Sequence, residues 1–238
     1  MTRSVLVISA HAADFVWRAG GAIALESANG SRVRVVCLSF GERGESASLW
    51  REPDMSIDKV KAVRRAEAES AAEALGAEVR FLDQGDYPLA ETPDLLDLLV
   101  REYREVQPDV VLTHGDRDPY NMDHPTAHRL ALQARVLAQA AGYPAQGTVL
   151  GAPPVYIFEP HQPEMCGFHP EVLLDITSVF DRKRKAMECM AAQEHLWEYY
   201  SELAHRRGVQ AVRNSGQKHI VHAEAYDRVY PSVVASLP

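Results

Sequence analysis

The chain has 238 residues, a length that suits one large α/β domain and can bury a core without disulfides. Hydrophobic residues make up 46% and charged residues 24%, a globular balance that excludes a disordered or low-complexity chain. The formal net charge is -8 and no basic patch stands out, which argues against nucleic acid as the main partner.

An apolar run, Val5 to Ile8, marks a first strand over residues 3–9, which ends at His11 and Asp14. Residues 20–29 read as a helix stopped by Asn29-Gly30. Residues 32–38 form a second buried strand, followed by the loop SFGERGES with Glu42, Arg43 and Glu45. Residues 56–75 make an amphipathic helix with Gly76 as its C-cap, and a short strand follows over 79–82. Residues 92–106 are helical, with Pro93 in the first turn where proline is favoured. Residues 109–113 form another apolar strand, and residues 126–141 another helix. Four strand–helix alternations imply a Rossmann-like, mostly parallel sheet with helices on both faces.

After Gly142 the pattern changes. Strands are expected at 153–158, 172–175 and 220–225, and helices at 177–194, with Thr177 as N-cap, and at 195–207. A single domain is expected, with a core of about residues 1–142 and a C-terminal extension over 143–238. Cys37, Cys166 and Cys189 are too scattered for a disulfide framework or a cysteine zinc site. The N-terminus carries no secretory signature and no apolar run reaches membrane-spanning length, so a cytoplasmic protein without membrane contact is expected.

Ligands in open α/β sheets bind beyond the carboxyl ends of the strands. Here those ends carry His11 and Asp14; Glu42, Arg43 and Glu45; Asp116, Asp118, Tyr120, Asn121, Asp123 and His124; and Glu159, His161 and Glu164. His11, Asp14 and His124 on three such loops fit a catalytic zinc site, which keeps three N/O ligands and one open position. Iron or manganese accept the same ligands. His128 is expected to be a satisfied structural histidine, as are His195, His205, His219 and His222.

VLVISAHAAD…AGG, SFGERGES, a helix with Arg64 and Glu67, and DPYNMDHP, in that order, resemble the PIG-L/LmbE-like superfamily. Its best-known members are zinc-dependent de-N-acetylases of amino sugars, and its members often form homo-oligomers. Where that family has the motif A-H-P-D-D-E, this chain has Ala10-His11-Ala12-Ala13-Asp14-Phe15. The resemblance implies His11, Asp14 and His124 as the zinc ligands. It also implies that the aspartate serving the deacetylases as general base is here Ala13, whose methyl group accepts no proton.

The stretches SAHAADFVWRAGGAIAL, VVCLSFGERGES, GAPPVYIFEPHQPE and QEHLWEYY resemble a hydratase branch of the superfamily that acts on an unsaturated keto tricarboxylate. Hydration needs one group to deprotonate water and another to protonate carbon. With Ala13 unable to serve, Glu45 is the expected base and His161 the expected acid, with the reverse assignment open. A tricarboxylate needs cationic partners, for which Arg43, Arg64 and Arg18 are candidates. Tyr120 and Asn121 add neutral hydrogen bonds. The other reading is a de-N-acetylase or amidase that uses a substitute base.

Overall fold

A strand with no exposed residue is the axis of the molecule. In the computed structural model, which describes residues 2–235, β1 (Ser4–Ser9) is buried along its whole length. Val5 and Val7 enter the apolar layer on one face, Leu6 and Ile8 the layer on the other. Successive strand side chains point to opposite faces, so an unbroken apolar run serves two cores at once.

β1 pairs in parallel with β2 (Arg32–Cys37) on one side, and β3 (Glu78–Phe81) continues beyond β2. On its other side lies β4 (Val110–Thr113), followed by β5 (Val155–Phe158), again in parallel. β6 (Val172–Asp175) and β7 (Ala223–Arg228) complete a seven-stranded sheet of order β3-β2-β1-β4-β5-β7-β6, in which β7 runs antiparallel to both neighbours. The mostly parallel α/β sheet is the fold class expected from the sequence.

The helices α1 (Asp14–Ala28), α2 (Ile57–Leu75), α3 (Pro93–Val106) and α4 (Asp123–Gln139) connect the parallel strands. A single turn, α5 (Pro163–Cys166), precedes β6, and α6 (Phe180–Glu188) and α7 (Trp197–Ser215) precede β7. α1, α2, α6 and α7 cover one face through residues such as Phe15, Leu75, Met187 and Leu203. α3 and α4 cover the other through Leu99, Tyr103 and Leu130. No helix among the described residues is long and apolar enough to cross a membrane.

The local signals that terminate α2 and α3 act as expected. Ser56 Oγ accepts from the Lys59 N–H, Thr92 Oγ1 from the Leu95 N–H, and Gly76 takes φ 75° at the end of α2. Several boundaries differ. α1 begins at Asp14 rather than Gly20, because burial of Phe15, Val16 and Trp17 overrides their modest helix propensity. Thr177 caps no long helix: its hydroxyl oxygen accepts from the N–H groups of Val221 and His222. That capture also delays the last strand to Ala223. The expected helix over 177–194 ends at Glu188 and gives way to a 3-10 segment, Ala191–Leu196. There the Ala192 N–H donates to Glu67 and the Gln193 side chain accepts from Arg64, contacts that hold this segment off a helical path.

α1 packs closely at Gly21. A Cβ there would lie 2.7 Å from Ile176 and 2.9 Å from the carboxyl carbon of Glu224. Gly21→Ala is expected to destabilise the protein by about 1–3 kcal/mol through overpacking, read as a lower urea midpoint with unchanged slope.

Candidate metal centre

β1 and β4 lie side by side, yet the chain leaves β1 toward β2 and leaves β4 toward β5. Such a switch of direction opens a crevice at the carboxyl ends of the strands. The loop after β1 is pinned there: Ser9 Oγ donates to the His11 carbonyl at 2.7 Å, and the His11 N–H donates to Asp14 Oδ2 at 2.9 Å. Asp14 thus opens α1 with its carboxylate turned back over the end of β1.

The His11 ring lies between carboxylates. Its Nδ1 is 3.1 Å from Asp14 Oδ2 and 3.2 Å from Glu45 Oε1, and its Nε2 donates to Asp123 Oδ2 at 3.1 Å. Asp123 also accepts from the N–H groups of Tyr87 and Leu89, which fixes it as a carboxylate. At the start of α4, His124 Nδ1 donates to Asp118 Oδ2 at 2.7 Å. Its Nε2 is buried without a hydrogen-bond partner, 3.4 Å from Asp14 Oδ1 and 3.9 Å from Glu45 Oε1.

One ligand atom from each of His11, Asp14, Glu45 and His124 lies within 4.8 Å of the others. The set fits a divalent cation on two grounds. An orphaned imidazole nitrogen faces two carboxylates, and each histidine has its other nitrogen held by an acid, as metal-binding histidines do. The electrostatics agree. Burial alone would lower His11, but Glu45, Asp123 and Asp14 outweigh it and hold its pKa well above the ordinary value. Burial likewise opposes ionisation of Asp14 and Glu45, yet the surrounding histidines win and keep both below the usual carboxylate range.

Glu45 arrives on the loop after β2. Gly41, at φ 69°, lets that loop pass close to β1: a Cβ there would be 3.2 Å from the Cβ atoms of both Glu45 and His11. Asn121 Nδ2 donates to Glu45 Oε1 at 3.2 Å, and Asn121 Oδ1 accepts from the Asp123 N–H, so the amide is oriented toward the acid. A cavity of about 170 Å³ opens beside this group. Asp14, Arg18, Glu45, Tyr120, Asn121, His124 and His161 all line it. His161 follows β5, with Nδ1 3.4 Å from the Tyr200 hydroxyl. Burial, then the nearby Arg18 charge, lowers its pKa.

Two of the expected substrate cations do not line this cavity. Arg43 is exposed, its guanidinium donating to the Asp86 carbonyl. Arg64 is fully buried and spent on Glu67 at 2.7 Å and Gln193 at 2.8 Å, so it holds the 3-10 segment rather than a ligand. Other groups went unassigned from the sequence. His114, directly after β4, accepts from the Ala10 N–H at 2.9 Å and stacks on His124 with ring centroids 4.2 Å apart. Burial and His124 push its pKa well down, which leaves a neutral ring. The signal for it was present, since a histidine at the end of β4 mirrors His11 near the end of β1. Trp17, Gln193, Leu196 and Tyr200 complete the cavity wall from distant parts of the chain. His128 is satisfied, donating from Nδ1 to the His114 carbonyl.

A Rossmann-like sheet with a His–Asp–His cluster beyond β1 and β4 defines a PIG-L-type protein, and the chain belongs to that family. The family model, described as GlcNAc-PI de-N-acetylase, matches residues 6–135. More specifically, the chain is 58% identical over 238 residues to a 4-oxalmesaconate hydratase of Pseudomonas putida KT2440, covering 99% of this chain and 92% of that protein. It superposes on the crystal structure of a 4-carboxy-2-hydroxymuconate hydratase from Pseudomonas putida KT2440 with TM-score 0.97, at 57% identity and with 100% of both chains covered. The N,N'-diacetylchitobiose deacetylase of Pyrococcus horikoshii shares the fold, with TM-score 0.76 and 23% identity over 95% of this chain and 84% of that one.

Metal analysis of purified protein is expected to find a divalent ion that His124→Ala and Asp14→Asn each abolish. Asp118→Asn, which leaves the ligands in place but weakens the hold on His124, is expected to lower metal affinity by about 10–100-fold in a chelator competition.

Proposed function

We propose that this chain is a metal-dependent hydratase, a hydro-lyase. It adds water across the carbon–carbon double bond of 4-oxalomesaconate to give 4-carboxy-4-hydroxy-2-oxoadipate, a step of gallate and protocatechuate breakdown. The observation that carries the reading is Ala13. Its fully buried methyl group stands where the resemblance puts the deacetylase base, immediately before Asp14, in a chain similar end to end to proteins named as hydratases. The substrate names of the two relatives describe the keto and enol tautomers of one carbon skeleton.

His11, Asp14 and His124 would hold the ion, zinc or another divalent metal. When bound, it would supply Lewis-acid polarisation of the substrate's oxygens. Glu45 is the base: its neighbours keep it ionised, and Asn121 aims it. It takes a proton from water as the water oxygen bonds to one alkene carbon. The π electron pair then forms a C–H bond at the adjacent carbon, with the proton coming from His161. Burial and Arg18 depress His161 in the free protein. A polyanionic substrate opposes the Arg18 charge and so favours the protonated ring. Tyr120 and Asn121 border the same space as neutral hydrogen-bonding groups. A small tricarboxylate as partner, a cytoplasmic setting and a homo-oligomeric state belong to this reading.

Spectrophotometric loss of substrate with metal-loaded protein is the direct test, and absence of turnover would sink the reading. Glu45→Gln and His161→Ala are each expected to lower kcat by about 10²–10⁴-fold with bound metal retained. A substitute-base deacetylase would instead release acetate from N-acetylglucosamine derivatives, and none is expected.

A further inference from the structure

We propose that Arg18 makes the cavity selective for a carboxylate, receiving one carboxylate of the ligand beside Asp14. The inference rests on the hydratase reading for the reaction, but the selectivity follows from the charge arrangement itself.

Arg18 lies one turn after Asp14 on α1, and its side chain is only 6% exposed. Its Nε is 3.4 Å from Asp14 Oδ1 but has no hydrogen-bond partner, and among the described residues no hydrogen bond satisfies the guanidinium. A guanidinium carries five donors and a permanent charge, so burying it with one ion pair and no hydrogen bond is expensive. The acids nearby are committed elsewhere. Glu159 and Glu224 border a small 20 Å³ cavity that Arg18 also lines. Glu159 is taken by Arg207, with Nε to Oε2 at 2.9 Å. Glu224 is taken by Lys183 at 2.6 Å, by the N–H groups of Gly21 and Ala22, and by the Tyr226 hydroxyl. Asp14 already accepts from the His11 backbone and faces His11, His114 and His124.

Arg18 therefore reaches the 170 Å³ cavity with only a 3.4 Å ion pair to Asp14, an acid shared with three histidines, while the other cavity acids are engaged, Glu45 by His11 and Asn121 and Asp118 by His124. Trp17 and Tyr200, stacked at 5.5 Å, wall it in with aromatic surface. In such a low-dielectric setting an ion pair strengthens and an unmet charge costs more. A carboxylate would engage the guanidinium through two parallel N–H donors. A neutral amide or sugar would leave the charge unmet, so the cavity rejects it as well as failing to attract it. With Arg43 outside the cavity and Arg64 consumed by Glu67 and Gln193, Arg18 alone of the three candidate arginines fills this role.

The test uses metal-loaded full-length protein, with metal content and melting temperature recorded for each variant. Calorimetry measures binding of propane-1,2,3-tricarboxylate and of its triamide. The wild type is expected to prefer the tricarboxylate, and Arg18→Gln to bind it about 100-fold more weakly while triamide binding stays unchanged. Arg18→Lys, which keeps the charge but loses the fork, is expected to fall between the two. Wild-type affinity for the tricarboxylate in either variant would overturn the proposal, as would equal loss of both ligands in a variant that retains its metal and melting temperature. If the wild type selects the tricarboxylate but does not hydrate 4-oxalomesaconate, the reaction assigned above fails and the carboxylate subsite stands.

Discussion

The carboxylate of Asp14 is the constraint on which the site depends. One oxygen accepts from the His11 backbone and faces the rings of His11 and His114; the other faces His124 and Arg18. A single side chain thus ties together the end of β1, the loop after β4 and the first turn of α1. Its burial would favour the neutral acid, and the surrounding histidines keep it ionised. The buried acids and their partners depend on one another, so removing one member leaves a polar or charged group unmet in the interior.

A second set of acids controls orientation. Asp123 fixes His11 and Asp118 fixes His124, and each is itself held by backbone N–H groups. Both acids lie on the stretch that leads from β4 into α4, close to His124 itself. Register along that stretch therefore decides ring orientation at the site. Glu45, with its carboxylate oriented by Asn121, closes the group from the loop after β2, across β1 from β4.

In this chain a methyl group at Ala13 belongs to the apolar core, and the ionisable side chains of Glu45 and His161 face the cavity. The C-terminal third shapes the rest of the cavity: Gln193, Leu196 and Tyr200 reach it only because the chain after α6 leaves the helical path. That third also contributes β5, β6 and β7 to the one sheet, so both parts of the chain share a scaffold.

Much of this was legible locally. Unbroken apolar runs marked β1, β2 and β4 because strands buried on both faces leave no polar positions. Ser56, Gly76 and Thr92 marked helix ends because capping is a contact over a few residues. His11, Asp14, Glu45, His124 and His161 were visible as polar residues stranded at the ends of such runs. Local pattern therefore specified the sheet class, the edge where chemistry gathers and the residue types available there. The tertiary structure alone decided that Arg18 faces the cavity while Arg43 and Arg64 do not, that His114 stacks on His124, and that the helix expected from Thr177 breaks. The physical reason is that a long side chain's partner is set by which distant groups remain unpaired after packing, as with Arg64, whose partner Gln193 lies on a segment far along the chain.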